Sequence, residues 1–185
     1  MAVISVFCGS RTGNHPIFVE ESQQFSRGLV RRGHTIVYGG GSTGIMGVVA
    51  DAALDLGGSV IGVIPECLAT VELMHSEVRD MRVVADMHAR KRLMHELSDA
   101  YAILPGGYGT MEEAFEAMTW SQLRIHRSPA GVLNCGGCYD ALESLMNSML
   151  CNEFLDKADL GLVHFCRKSD RLLDWLQQSL SQTSA

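Results

Sequence analysis

Basic charge is scarce in this 185-residue chain: 15 Lys and Arg face 21 Asp and Glu, for a formal charge of -6. That balance argues against a broad nucleic-acid or anionic-membrane surface, so any phosphate site has to be a local pocket. The opening residues Met1 to Ser10 carry no basic stretch ahead of their apolar positions. Gly9 and Arg11 arrive too early for a secretory core or a membrane span, and a cytoplasmic protein with no membrane partner is expected. Repeats, low-complexity tracts and linkers are missing as well. With 46% hydrophobic and 19% charged residues, the composition is that of an ordinary globular protein rather than a disordered chain or a coiled coil. One domain over residues 1–180, with residues 181–185 as a frayed tail, is expected.

Six cysteines without a secretory signal read as reduced thiols. Cys135 and Cys138 have CxxC spacing, but no second CxxC or His pair stands where the other half of a zinc site belongs. The pair also lies far from the early strand that a thioredoxin-type motif follows, so both are read as structural thiols. His88, His95 and His126 are assigned to core gaps or solvated faces, and neither a metal nor a cofactor is expected.

What is present is an alternation of short apolar runs and amphipathic stretches. Ala2 to Phe7, Thr35 to Tyr38, Ser59 to Ile64, Tyr101 to Leu104, Gly131 to Leu133 and Leu162 to Phe165 read as strands. Pro16 to Arg32, Gly44 to Leu56, Met87 to Leu97, Thr110 to Gln122, Tyr139 to Met149 and Lys168 to Leu180 read as helices. The period is unclear from Cys67 to Arg82, a loop or irregular helix able to cover a site. Such alternation predicts an α/β fold, a Rossmann-like three-layer sandwich with a mostly parallel sheet and ligands near the carboxyl ends of its strands.

Two glycine loops fall at strand-to-helix junctions. In the first, Gly39 to Gly44, the backbone around Gly41, Ser42 and Thr43 is a candidate anion cradle, with tight packing as the structural alternative. It formally matches GxGxxG and Glu66 lies near the acidic spacing, but it follows the second strand rather than the first, which keeps NAD a minor alternative. The second, Pro105 to Thr110, offers N–H groups from Gly107, Tyr108, Gly109 and Thr110 to a phosphate, with Glu112 and Glu113 close behind for work on an attached sugar. There the structural alternative is a capping box from Thr110 to Glu113. Neither loop ends in Gly-Lys-Ser/Thr, which excludes a Walker-type triphosphate site. Between them runs Met87-His88-Ala89-Arg90-Lys91-Arg92, from which one or two cations are expected to point inward.

GGGSTGIMG at 39–47, MHARK at 87–91 and PGGYGTMEE at 105–113 together resemble the Lonely Guy family of cytokinin riboside 5′-monophosphate phosphoribohydrolases, often mislabelled lysine decarboxylases. TWSQLRIH at 119–126 follows the same pattern. The resemblance implies a homodimer that splits a nucleoside 5′-monophosphate into free base and ribose 5-phosphate, with Arg90 and Glu113 as the catalytic pair. It further implies substrate binding by Lys91, by Gly107 through Glu112 including Met111, by Thr119 and by Glu72. The chemistry is consistent: breaking an N-glycosidic bond builds positive charge on the ribose, which a carboxylate stabilises while activating water. A non-hydrolytic nucleotide-binding or carrier module of related fold is the alternative.

Overall fold

The strand-forming runs line up as a single parallel sheet in the computed structural model, which describes residues 1–70 and 73–183. In chain order the elements are β1 (Val3–Phe7), α1 (Pro16–Arg31), β2 (Thr35–Tyr38), α2 (Gly44–Leu54), β3 (Val60–Pro65), β4 (Asp80–Val84), α3 (Met87–Leu97) and β5 (Ala100–Ile103). They continue as α4 (Tyr108–Gln122), β6 (Ala130–Leu133), α5 (Asp140–Cys151), α6 (Lys157–Leu160), β7 (Val163–Cys166) and α7 (Ser169–Thr183). The sheet order is β4-β3-β2-β1-β5-β6-β7, every pair parallel.

Period-two alternation sorts the side chains into two cores. Ile4 and Val6 of β1, Ile36 and Tyr38 of β2, and Ala100 and Ala102 of β5 pack on one face with Phe25, Leu29, Val49 and Leu172 from α1, α2 and α7. Phe7, Val37, Tyr101 and Ile103 face the other way, against Met94, Ala114, Ala117 and Leu142 from α3, α4 and α5. Burial on both faces explains why the central strands are apolar throughout rather than alternating.

Four differences from the sequence reading have local causes. β4 emerges from the segment of unclear period; it is an edge strand with largely exposed or half-buried residues and an Asp80–Arg82 ion pair, so it lacks the apolar signature of its neighbours. α4 starts at Tyr108, two residues early, with Gly107 as its N-cap. Thr110 therefore lies inside the first turn, and the Thr110–Glu113 capping box does not form. The short α6, closed by a capping box between Asp156 and Asp159, was not foreseen. α7 continues past Leu180 to Thr183, while Ser184 and Ala185 lie outside the described residues.

The chain runs outward from β1 to β4 and then crosses through α3 to β5 on the other side of β1. The carboxyl ends of β1 and β5 thus flank a topological switch point, where a crevice opens. Their loops touch, for the Gly9 N–H donates to the Pro105 carbonyl at 3.0 Å. Gly44 joins them at φ +64°, with the Ser10 carbonyl carbon 2.2 Å from where a Cβ would stand. No helix among the described residues is long and apolar enough to cross a membrane.

Candidate active site

Arg90 lies one turn into α3, whose start is fixed by Asp86: its carboxylate accepts the Ala89 N–H at 2.8 Å. Beside it α4 presents Glu113, and Arg90 Nη2 donates to Glu113 Oε1 at 3.1 Å. The two side chains are only 12% and 9% exposed, so this is a nearly dry ion pair. Gly39, just after β2, makes room for it, since a Cβ there would stand 2.2 Å from Arg90 Nη2. Arg90 Nε is also buried and meets no acceptor among the described residues.

Burial pushes the Glu113 carboxyl up from 4.5 to about 7, because desolvating the charge outweighs the opposing pull of Arg90; Glu112 nearby adds to the rise. A carboxyl with that value exchanges protons readily near neutrality, the range in which a general base or acid is most effective. Buried Lys91, next along α3, pairs with both Glu112 and Glu116. Burial lowers its pKa, but the two carboxylates more than offset this and hold it above the usual lysine value. Glu116 in turn faces His95 Nε2 at 3.3 Å, and burial keeps the His95 pKa below the ordinary histidine range. Adjacent cations of α3 are therefore locked to three carboxylates of α4.

A cavity of about 490 Å³ opens over the pair, lined by Cys8, Gly9, Ser10, Met46, Leu68, Met87, Arg90, Gly107, Tyr108, Gly109, Thr110, Glu112 and Glu113. Arg90, Glu113, Glu112 and the glycine loop from Gly107 to Thr110 thus share one wall system. The first-turn N–H groups of α4 have no intrahelical acceptor, which makes this end an anion seat. Lys91 reaches the site through Glu112 rather than by lining the cavity. Met111 packs against the core, and Thr119 is exposed farther along α4. Glu72 lies outside the described residues.

The first glycine loop is turned to packing. Ser42 donates its N–H and hydroxyl to the Leu73 carbonyl at 2.8 and 3.2 Å, Gly41 bridges Met74, and the Thr43 hydroxyl donates to the Ser10 carbonyl at 3.4 Å. Gly41, Ser42 and Thr43 do not line the cavity; its nearest contribution from α2 is Met46. Sequence reasoning missed Cys8, Gly9 and Ser10, whose Cys-Gly-Ser run after the first strand was the available signal, and it missed Met46, Leu68 and Gly39. A larger cavity of about 750 Å³ lies at the amino ends of β3 and β4, away from the switch point and from any buried ionisable pair.

A family model described as "Possible lysine decarboxylase" matches residues 46–176. A protein of Oryza sativa subsp. japonica named probable cytokinin riboside 5′-monophosphate phosphoribohydrolase is 49% identical over 156 residues, spanning 84% of this chain and 70% of its own length. An Arabidopsis thaliana protein named cytokinin riboside 5′-monophosphate phosphoribohydrolase is 39% identical over 175 residues, spanning 95% of this chain and 82% of its own. Among solved structures, the molybdenum cofactor carrier protein of Chlamydomonas reinhardtii matches with a TM-score of 0.76 at 21% identity, covering 97% of this chain and 98% of that one, a likeness of fold alone. With a family match across most of its length and relatives this similar over nearly all of it, the chain belongs to the Lonely Guy family of cytokinin riboside 5′-monophosphate phosphoribohydrolases.

Proposed function

We propose that the protein hydrolyses the N-glycosidic bond of a cytokinin riboside 5′-monophosphate or of AMP, releasing free base and ribose 5-phosphate. The observation that carries this is the buried Arg90–Glu113 pair beside the open start of α4. The 5′-phosphate sits on the first-turn N–H groups and the Thr110 hydroxyl, which places the ribose over Glu113. As the C1′–N bond breaks, its electron pair leaves with the base and positive charge grows on the ribose. The Glu113 carboxylate stabilises that charge and takes a proton from the water whose oxygen bonds to C1′; the proton then passes to the departing base. Arg90 orients the carboxylate through one amino group while lining the same cavity. Met46, Leu68 and Met87 give the cavity an apolar side suited to the base and to a prenyl chain on it.

The named relatives support hydrolysis of this substrate class. A carrier of the same fold is the competing reading, and the ionisable pair speaks against it because storage of a nucleotide calls for no desolvated carboxylate. The test is chromatography of AMP and isopentenyladenosine monophosphate after incubation with the protein. Base release that disappears in Glu113→Ala supports the assignment and ranks the two substrates; binding of both without cleavage overturns it in favour of the carrier. We further propose a cytoplasmic homodimer; the exposed Phe115, Leu123 and Ile125 in and just beyond α4 support the dimer. Light scattering that returns the 20.2 kDa of one chain refutes the dimer.

A further inference from the structure

Leu133-Asn134-Cys135-Gly136-Gly137-Cys138-Tyr139 leaves the carboxyl end of β6, the strand beside the one that carries the second glycine loop. The chain turns back on itself there: Gly136 and Gly137 adopt φ +61° and +75°, and the Cys138 N–H points to the Cys135 carbonyl at 3.4 Å. A turn of this kind holds the two α-carbons within about 7 Å, which overlaps the reach of a disulfide. The side chains are unequal. Cys135 is fully buried, while Cys138 is exposed and helps line a second cavity, of about 580 Å³, with Ser10, Arg11, Gly106, Gly107 and Tyr108. This cavity shares Gly9, Ser10, Gly107 and Tyr108 with the one over Glu113.

The turn is also tied to the loop. The next residue, Tyr139, donates its hydroxyl to the Leu104 carbonyl at 2.7 Å, at the point where Pro105-Gly106-Gly107 begins. Its N–H donates to Asn134 Oδ1 at 2.7 Å, so both ends of the turn are fastened.

We propose that Cys135 and Cys138 are a peroxide-sensitive redox pair whose disulfide lowers the affinity of the adjacent glycine loop for a 5′-phosphate; the phosphate part rests on the function proposed above. Interaction between the two thiols holds the Cys138 pKa below the ordinary thiol value and, with burial, raises that of Cys135. Cys138, exposed on the cavity wall, is the attacking thiolate, and buried Cys135 is the resolving thiol. The Cys138 thiolate attacks one peroxide oxygen, the O–O bond breaks, and the hydroxide that leaves takes up the proton released by the Cys138 thiol, giving water; the sulfur becomes a sulfenic acid. The Cys135 sulfur then attacks that sulfur, its proton leaves with the displaced hydroxyl as water, and the S–S bond closes. Two thiols and one hydrogen peroxide thus give one disulfide and two waters. Closing a bond of about 2 Å between the sulfurs draws Cys138 from the cavity wall toward buried Cys135 and pulls on Tyr139. Displacements below an ångström in a site that positions a reacting group are costly in rate.

The experiment treats the full chain with one equivalent of hydrogen peroxide and reads unreduced peptides by mass spectrometry. The expected result is a Cys135–Cys138 link formed before Cys67 or Cys151 changes, with kcat/KM for AMP down about tenfold and restored by dithiothreitol. Cys138→Ser is expected to be indifferent to peroxide, and Cys135→Ala to leave a sulfenic acid at Cys138 that dimedone captures. Peroxide that leaves the two unlinked, or a link that changes neither kcat/KM nor AMP affinity by calorimetry, overturns the proposal. Absence of turnover in the reduced protein refutes only the hydrolase reading, because the mass and calorimetric measurements do not depend on the reaction.

Discussion

The raised Glu113 carboxyl has a consequence for stability that is independent of turnover. A group whose folded pKa lies above its unfolded value stabilises the fold relative to neutral pH only while it is protonated; that contribution is fully present below the unfolded value and is lost as pH rises through the folded one. For Glu113 the window runs from 4.5 to about 7. At 1.36 kcal/mol per unit, the protein is expected to lose about 2 to 3 kcal/mol between pH 5 and pH 8 on account of this one side chain. Glu113→Gln removes the titration and keeps the shape. It also leaves Arg90 without its carboxylate at both pH values, a constant penalty that cancels in the difference. Urea denaturation of both proteins at pH 5 and pH 8, followed by far-UV circular dichroism, is the assay. The unsubstituted protein should lose about 2 to 3 kcal/mol more than Glu113→Gln over that interval, although Glu113→Gln is the inactive one. Equal losses refute the claim that desolvation dominates over Arg90.

Other substitutions probe the scaffold around the pair. Gly39→Ala puts a methyl group 2.2 Å from Arg90 Nη2, the far end of a flexible side chain, so stability should change by less than about 1 kcal/mol while base release falls at least about tenfold; activity that survives shows that Arg90 need not hold Glu113. Gly44→Ala is the opposite case, because φ +64° and the Ser10 backbone at 2.2 Å leave no cheap adjustment: thermal melting should report a loss of at least about 2 kcal/mol, and an unchanged melting temperature counts against the close approach of the two loops. Lys91→Met strands Glu112 and Glu116 one turn apart on α4 and should cost about 2 kcal/mol, part of which Glu116→Gln in the same chain restores; a double-mutant cycle with no coupling sinks the ion-pair argument.

Much of the fold was legible because strands here are buried on both faces and stand out as short apolar runs between helical periods. β4 was not, since an edge strand carrying Asp80 and Arg82 has no such run. At the site, PGGYGTMEE and MHARK were readable as motifs, and Arg90 and Glu113 meet across the cavity wall. The two glycine loops, in contrast, look alike as strings. Only one of them lines the cavity; the backbone of the other bonds to Leu73, Met74 and His75, in a segment whose period carried no information.

The sequence by itself determined the order of strands and helices apart from β4 and α6, the anion-seeking start of α4 and the family, because periodicity, glycine positions and motif spacing are local properties. Tertiary structure decided the rest. Arg90 and Glu113 stand 23 residues apart, and only the packing of α3 and α4 on the same face of the sheet brings them to 3.1 Å. The proton affinity of Glu113 follows from how much water that packing removes, the seat of Arg90 from an absent Cβ at Gly39 just after β2, and the position of Cys138 from the neighbouring of β5 and β6. Desolvation and proximity are sums over atoms distant in the chain, and no stretch of residues contains them.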